Sequence, residues 1–167
     1  TPLYLDEIIR RVSANLNELG YMGTIHKDSV DEQQLSGNGW MLRGLCEYYL
    51  WKKDASLLPI ISRMADNLFT GGEKYYDAYP ISPESRRKGV GAASGSLSQI
   101  IGHWRLSTDI GCVFIGMEGM LHALQVTQDE KLRPVAEKLV DLFLKVDLTG
   151  IKAQTHASLT AMRGLIR

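Results

Sequence analysis

Residues 43–68, RGLCEYYLWKKDASLLPIISRMADNL, decide the reading of this chain, because a second stretch repeats them. Residues 118–143, EGMLHALQVTQDEKLRPVAEKLVDLF, align with them without a gap at an offset of 75 (43 to 118). Gly44 meets Gly119, Asp54 meets Asp129, Leu57 meets Leu132, Pro59 meets Pro134 and Asp66 meets Asp141. A third copy starts at MRGLIR, residues 162–167. Self-similarity at a fixed period points to a repeated supersecondary unit whose apolar face is buried by its neighbours.

Each copy predicts a helical hairpin. The first helix, 35–52, carries Trp40, Met41, Leu42, Leu45, Tyr48 and Tyr49 nearly all round, so it is buried on most sides. The second, 56–69, places Leu57, Ile60, Ile61, Met64, Ala65 and Leu68 in one stripe at helical spacing. Asp54 and Asp129 punctuate the turns as caps. Pro59 and Pro134 follow in the first turn, where a missing N–H costs little. Gly44 and Gly119 sit inside helices, which predicts close approach of a neighbouring helix at both.

Residues 3–18 read as the outer helix of a preceding hairpin. The pattern is buried helix, short turn, outer helix, long loop. Hairpin units fall at about 35–70 and 110–146, with a third begun at 153–167 and a long loop at 71–109. Strand signals are weak. The expectation is one all-α domain over 1–167, built of α/α-hairpin repeats as an open solenoid or a closed toroid. The ending THASLTAMRGLIR reads as an inner helix broken off before its turn, so exposed apolar surface is expected at both cut edges.

Composition narrows the function classes. The 167 residues are 44% hydrophobic and 23% charged, as in a globular domain. With 19 basic against 19 acidic residues there is no electrostatic footprint for nucleic acid. No apolar run has the length of a membrane span. Cys46 and Cys112 fall in apolar helical runs and read as buried free thiols. Thr1 is not an initiator methionine, and the compartment is left open.

The segment LGYMGT (19–24) followed by GWMLRGLCEYYLWKKD (39–54) resembles the six-hairpin glycosidase superfamily. The nearest resemblance is to the β-L-arabinofuranosidase-like family of (α/α)6-barrel glycoside hydrolases. MEGMLHALQVTQDEKL (117–132) is similar to that family's next inner helix and turn. The resemblance covers most of 19–145 and rests on scaffold motifs. It implies that the chain forms about half of an (α/α)6 toroid and that the intact protein hydrolyses glycosidic bonds. Unsaturated glucuronyl hydrolases and sugar epimerases use comparable hairpins. The family has a His before the first inner helix where this chain has Asn38. The family's zinc-binding cysteine cluster and catalytic glutamate lie downstream of the region matched.

In such a toroid the cavity lies at the end where loops enter the inner helices. Those loops carry His26, Asp31, Glu32, Gln33, Gln34, Asn38 and Trp40, then His103, Trp104, Arg105 and Asp109, then Lys152, Gln154 and His156. Each approach thus brings one His, and convergence of the three on a cavity is expected. Sugars need hydroxyl-bonding groups and a flat aromatic, which His26, Gln34, Trp40, His103, Arg105, Asp109 and His156 supply as expected substrate contacts. Hydrolysis needs two carboxyl groups, about 5–5.5 Å apart for retention or about 6.5–9.5 Å for inversion. Asp109, Glu32 and Asp31 are the candidates by location.

Structural roles compete for several of these residues. Asp109 also suits an N-cap before IGCVFIGMEGML. Glu118, inside an apolar helix, needs an Arg partner such as Arg43, Arg105 or Arg163. Trp40 and Trp104 suit a core as well as a sugar platform, and Tyr75, Tyr76 and Tyr79 suit a rim or an anchor for the loop. His122 suits a structural place within its helix. Metal-ligand spacing is absent, so neither metal nor cofactor is expected. GVGAASG (89–95), after SRRK, lacks a dinucleotide fingerprint and reads as a linker or lid. The function expected is therefore part of a carbohydrate-active enzyme, contributing sugar-cavity wall. The alternatives are a non-enzymatic helical-repeat binding module and a sugar epimerase using His pairs. The partners expected are a carbohydrate and either the missing half of the barrel or a second copy, with no nucleic acid and no membrane.

Overall fold

The structure, a computed structural model, describes residues 2–86 and 93–167. Most of the linker or lid expected at 89–95 therefore lies outside the described residues. The chain is mostly helical with a small mixed sheet. Its elements are α1 (Pro2–Arg11), β1 (Val30–Asp31), α2 (Glu32–Lys52), α3, β2 (Leu97–Ile101), β3 (Trp104–Ser107), α4 (Cys112–Thr127), α5 (Arg133–Lys145) and α6 (Thr155–Leu165). Helix α3 starts as Leu58–Met64, passes through a π-helical turn at Ala65–Thr70 and continues as Gly71–Tyr76.

The two hairpin turns have matching geometry. Lys53 (φ 58°) and Gln128 (φ 52°) end α2 and α4 in the left-handed region, their N–H groups returning to Tyr49 O and Leu124 O. Asp54 then accepts from Ser56 N at 3.0 Å and Asp129 from Lys131 N at 3.1 Å. A short 3-10 turn follows each, Ala55–Leu57 and Glu130–Leu132, with Pro59 and Pro134 opening the next helices. The two turns therefore share a left-handed C-cap, an Asp-capped 3-10 turn and an early proline.

Helices α2, α4 and α6 lie side by side, with α3 and α5 packed behind them. The contact between α2 and α4 is backbone on backbone. A Cβ on Gly119 would lie 2.3 Å from Gly39 O, and one on Gly39 would lie 2.6 Å from Gly116 Cα. Gly164 of α6 rests on Glu118 in the same way, 2.9 Å from its Cα. The close approach expected at Gly119 is present. At Gly44 it is not, because a Cβ there would meet nothing within 4 Å. Gly44→Ala is therefore expected to raise stability by about 0.5–1 kcal/mol, by helix propensity and a less flexible unfolded chain. Urea denaturation measures this, and a lowered midpoint would show the site to be packed.

Behind the glycine contacts, one core joins Leu35, Leu42 and Leu45 of α2 to Ile61, Met64 and Phe69 of α3, Phe114 and Met117 of α4, and Val135 and Leu139 of α5. Trp104 belongs to this core and not to a sugar platform. It is fully buried, donates Nε1–H to Tyr75 O at 2.9 Å and meets the Tyr79 ring edge-on at 4.7 Å.

Three expectations need correction. The fold is not all-α: β1 pairs in parallel with β3, and β2 pairs antiparallel with β3, giving the order β1-β3-β2. The 71–109 stretch is not one loop. It opens with the end of α3 and closes with the β2–β3 hairpin, which turns at Gly102 (φ 54°). The first helix does not run through 3–18. It ends at Arg11, where Asn15 Nδ2 donates to the Arg11 carbonyl and a 3-10 turn, Ser13–Asn15, follows. Helix α1 is held to α2 through Tyr48 Oη on Asp6 at 2.7 Å, and leaves Leu3, Tyr4 and Ile8 exposed.

Candidate functional site

The loops expected to carry chemistry do meet at one end of the molecule, where α2, α4 and α6 begin. Asp31 closes β1 and caps α2, its Oδ1 accepting from Gln33 N at 2.9 Å and Gln34 N at 3.2 Å. The parallel pairing of β1 with β3 sets Asp31 opposite Arg105. Asp31 Oδ2 thereby lies 3.4 Å from Arg105 Nε, with His26 Nε2 at 3.8 Å on the other side. One carboxylate thus joins the helix start to the sheet and leaves a polar corner at the surface.

Asp109 occupies the gap between the three helix starts. Ser94 Oγ lies 2.7 Å from both of its oxygens, Gln154 Nε2 donates at 2.6 Å from the start of α6, and Gln33 Nε2 lies at 3.4 Å from α2. The cap expected of Asp109 is not made. Gly111, in the left-handed region at φ 94°, enters α4 with no side-chain cap, and the Asp109 carboxylate turns sideways to its neighbours. Gln33 links both carboxylates, since its backbone N–H reaches Asp31 and its amide reaches Asp109. A partly buried carboxylate surrounded by neutral donors, at a junction of three segments, can orient a hydroxyl or accept its proton.

Glu32 does not join this constellation. It is fully buried, and its oxygens take Tyr79 Oη at 2.6 Å, Ser107 N at 2.8 Å and Arg86 Nη2 at 3.0 Å. No oxygen is left for a substrate, so its geometry fits an anchor and not a catalytic acid. Burial, first, and the charge of Glu32 beside it push the Tyr79 phenol well above its ordinary range. Glu118, also buried, is gripped by Arg163 at 2.5 and 2.8 Å, with Arg43 at 3.6 Å. Of the three Arg partners considered for it, Arg105 goes instead to Asp31.

The histidines sit in separate settings. His26 opens on a cavity of about 310 Å³ that also takes in Asp31, Gln34 and Tyr75, but neither His103 nor His156. His103 is exposed and stacked on Tyr75, ring centroids 4.3 Å apart. Its Nδ1 lies 2.7 Å from Asp28 O. A carbonyl only accepts, so Nδ1 carries the proton. His156 stands beside Trp40, 6.2 Å between centroids, and both are exposed. The expected meeting of all three in that cavity is therefore not found. His122 is buried, its pKa lowered by burial first and then by Arg167. Asn38 ties the loop to α2, its side chain bonded to Met22 N and O and to Gln34 O.

Sequence reasoning passed over Ser94 and gave Gln33 and Gln154 no role, although each amide stands one residue from a helix start. That position was the available signal. Among the described residues no group of three or more His, Cys, Asp or Glu is placed to hold a metal, and no helix is long and apolar enough to cross a membrane. Both thiols are buried, and that burial pushes Cys46 and Cys112 up to about 12. Neither is expected to react with Ellman's reagent at pH 8 in the native state, whereas both titrate after unfolding. Prompt native labelling of either would contradict that burial. No protein-family model, curated protein or solved structure matches the chain.

Proposed function

We propose that this chain is part of a carbohydrate-active enzyme, a glycoside hydrolase of the six-hairpin class nearest the β-L-arabinofuranosidase-like family, and forms about half of an (α/α)6 toroid. The observation that carries the proposal is the Asp109 junction. Gln33, Ser94 and Gln154 surround a partly buried carboxylate where three neighbouring inner helices begin. Asp31 with Arg105 and His26 lies beside it, and the Trp40–His156 pair offers exposed aromatic surface on the same helices. Hydroxyl-bonding side chains with a flat aromatic suit a sugar. The matching turns at Asp54 and Asp129 support the hairpin reading. Apolar side chains exposed on α1 (Leu3, Tyr4, Ile8) and along α6 (Leu159, Met162, Leu165) support open edges that further hairpins or a partner cover.

In this reading Asp109 and Asp31 are the carboxyl pair to test, while Gln34, His26, Arg105, Trp40, His103 and His156 contribute wall and rim. Hydrolysis of a panel of 4-nitrophenyl glycosides, by this chain and by the full-length natural protein, is the test. Turnover of at least one substrate is expected, falling at least ~10²-fold in Asp109→Asn with the melting temperature retained. Turnover indifferent to Asp109→Asn removes the assignment. Sugar binding without turnover in either form would move the protein to the non-enzymatic binding module.

A further inference from the structure

We infer that the cavity between residues 19–34 and the π-helical turn of α3 is a binding site for a small, neutral, hydroxyl-rich ring compound of monosaccharide size. The cavity shares Asp31, His26 and Gln34 with the wall proposed above, but the inference is argued from the cavity's own lining and not from Asp109.

The cavity, about 310 Å³, is at the lower end of the range for small-molecule sites. Its wall on α3 is an irregularity of the helix. Asn67 and Leu68 belong to the π-helical turn Ala65–Thr70, and Gly71 and Gly72 follow it directly. Such turns are rare, weaken the helix and concentrate where a helix serves a site. The two glycines differ. A Cβ on Gly72 would press on Val30 at 3.1 Å, so packing explains it. A Cβ on Gly71 would meet nothing within 4 Å, so packing gives no reason for glycine there. A bare backbone at the cavity edge lets a ligand approach closely.

The chemistry of the wall selects the ligand class. Asn67 and Gln34 each give one amide N–H to a backbone carbonyl, Leu19 O and Thr24 O, and keep the second N–H. Each is left with a carbonyl oxygen that accepts. Asp31 is already bonded to two backbone N–H groups and faced by Arg105 and His26, which leaves little uncompensated charge for a cation, and Lys27, the one other charged residue of the lining, is exposed, with its ammonium solvated. Ser29 adds a hydroxyl, and Leu19, Ile25 and Leu68 supply an apolar floor. Tyr75 is unsuited as a stacking platform, because His103 stacks on it and the Lys74 ammonium also lies over the ring at 4.8 Å. Amide and hydroxyl groups that both donate and accept, above an apolar floor, suit a ring whose hydroxyls do the same and whose C–H edges are buried.

The test is an NMR titration of the ¹⁵N-labelled chain with D-glucose, D-xylose and L-arabinose, with sodium acetate and methylammonium chloride as charged probes. At least one sugar is expected to shift the amides of Asn67, Gly71 and Gly72, and neither charged probe to match it. Gly71→Leu and Ser29→Leu each block the cavity from one side and are expected to weaken that binding at least ~10-fold, with the spectrum elsewhere unchanged. Should one variant misfold, the other decides. Leu144→Ala, exposed on α5 and outside the cavity, is expected to leave these shifts intact. The inference is overturned if no sugar moves those amides, if the blocked variants bind as well, or if acetate or methylammonium binds as tightly.

Discussion

Glu32→Ala is expected to destabilise the protein by about 3–5 kcal/mol, the loss seen when one partner of a buried ion pair is removed. The side chains of Glu32 and Arg86 are almost wholly excluded from water, and their pairing at 3.0 Å is one of three contacts made by that carboxylate. Removing it leaves the Arg86 guanidinium uncompensated, the Ser107 N–H without its acceptor and the Tyr79 hydroxyl without its partner. Each buried orphan costs about 1–3 kcal/mol. Glu32→Gln keeps the shape and an acceptor, so its loss is smaller. Glu32→Ala combined with Arg86→Met is expected to recover part of the stability, because the stranded charge goes with its partner. Urea denaturation of the four proteins decides the matter. A loss below about 1 kcal/mol for Glu32→Ala would show that the carboxylate is not the anchor described.

Gly119→Ala is the second large effect, a loss of about 2–4 kcal/mol. The added methyl would be placed 2.3 Å from Gly39 O and 2.6 Å from Gly39 Cα, both main-chain atoms of the facing helix. No side-chain rotation relieves that overlap, so α2 and α4 must separate along their length. Overpacking costs typically 1–3 kcal/mol, more when backbone has to move, and the helix-propensity gain of about 1 kcal/mol offsets only part of it. The contrast with Gly44→Ala is the informative part, since the two glycines are equivalent in the sequence alignment and opposite in surroundings. A Gly119→Ala protein with an unchanged urea midpoint would mean that the helices are not in backbone contact.

Much of the helical framework was legible because the signals were local. Asp54 and Asp129, each followed by a 3-10 turn and an early proline, specify a reversal through caps and fixed φ values that need no distant partner. The sheet was not legible in this way. β1 has two residues, too few for any pattern, and exists only because Val30 and Asp31 find Trp104 and Arg105 far along the chain. The β2–β3 hairpin did leave a trace, Ile100 and Ile101 followed by the two-residue turn Gly102–His103 and then Trp104. At the candidate site, the sequence names the loops that carry the polar residues, but the local contacts of each residue are set by tertiary neighbours. Asp31 turned out to cap a helix and Asp109 did not, because tertiary neighbours, Ser94 and Gln154, reach Asp109 before its own helix can. Glu32 and Asp31 are adjacent in sequence, yet opposite faces of the helix start send one to the core and the other to the surface. The π-helical turn has no sequence signature that distinguishes it from the α-helical stripe around it.

Helices α2, α4 and α6 start at the same end, as the bridge from Gln33 through Asp109 to Gln154 requires. They therefore run parallel, and their peptide dipoles add at this end, offset in part by α3 and α5, which run back against α2 and α4. Each contributes roughly half a positive charge at its N-terminus. Asp31 and Asp109 sit at this end as counter-charges to those N-termini. The field comes from the backbone, so no single side-chain substitution abolishes it. It favours negative charge at that end over the same charge elsewhere on the surface.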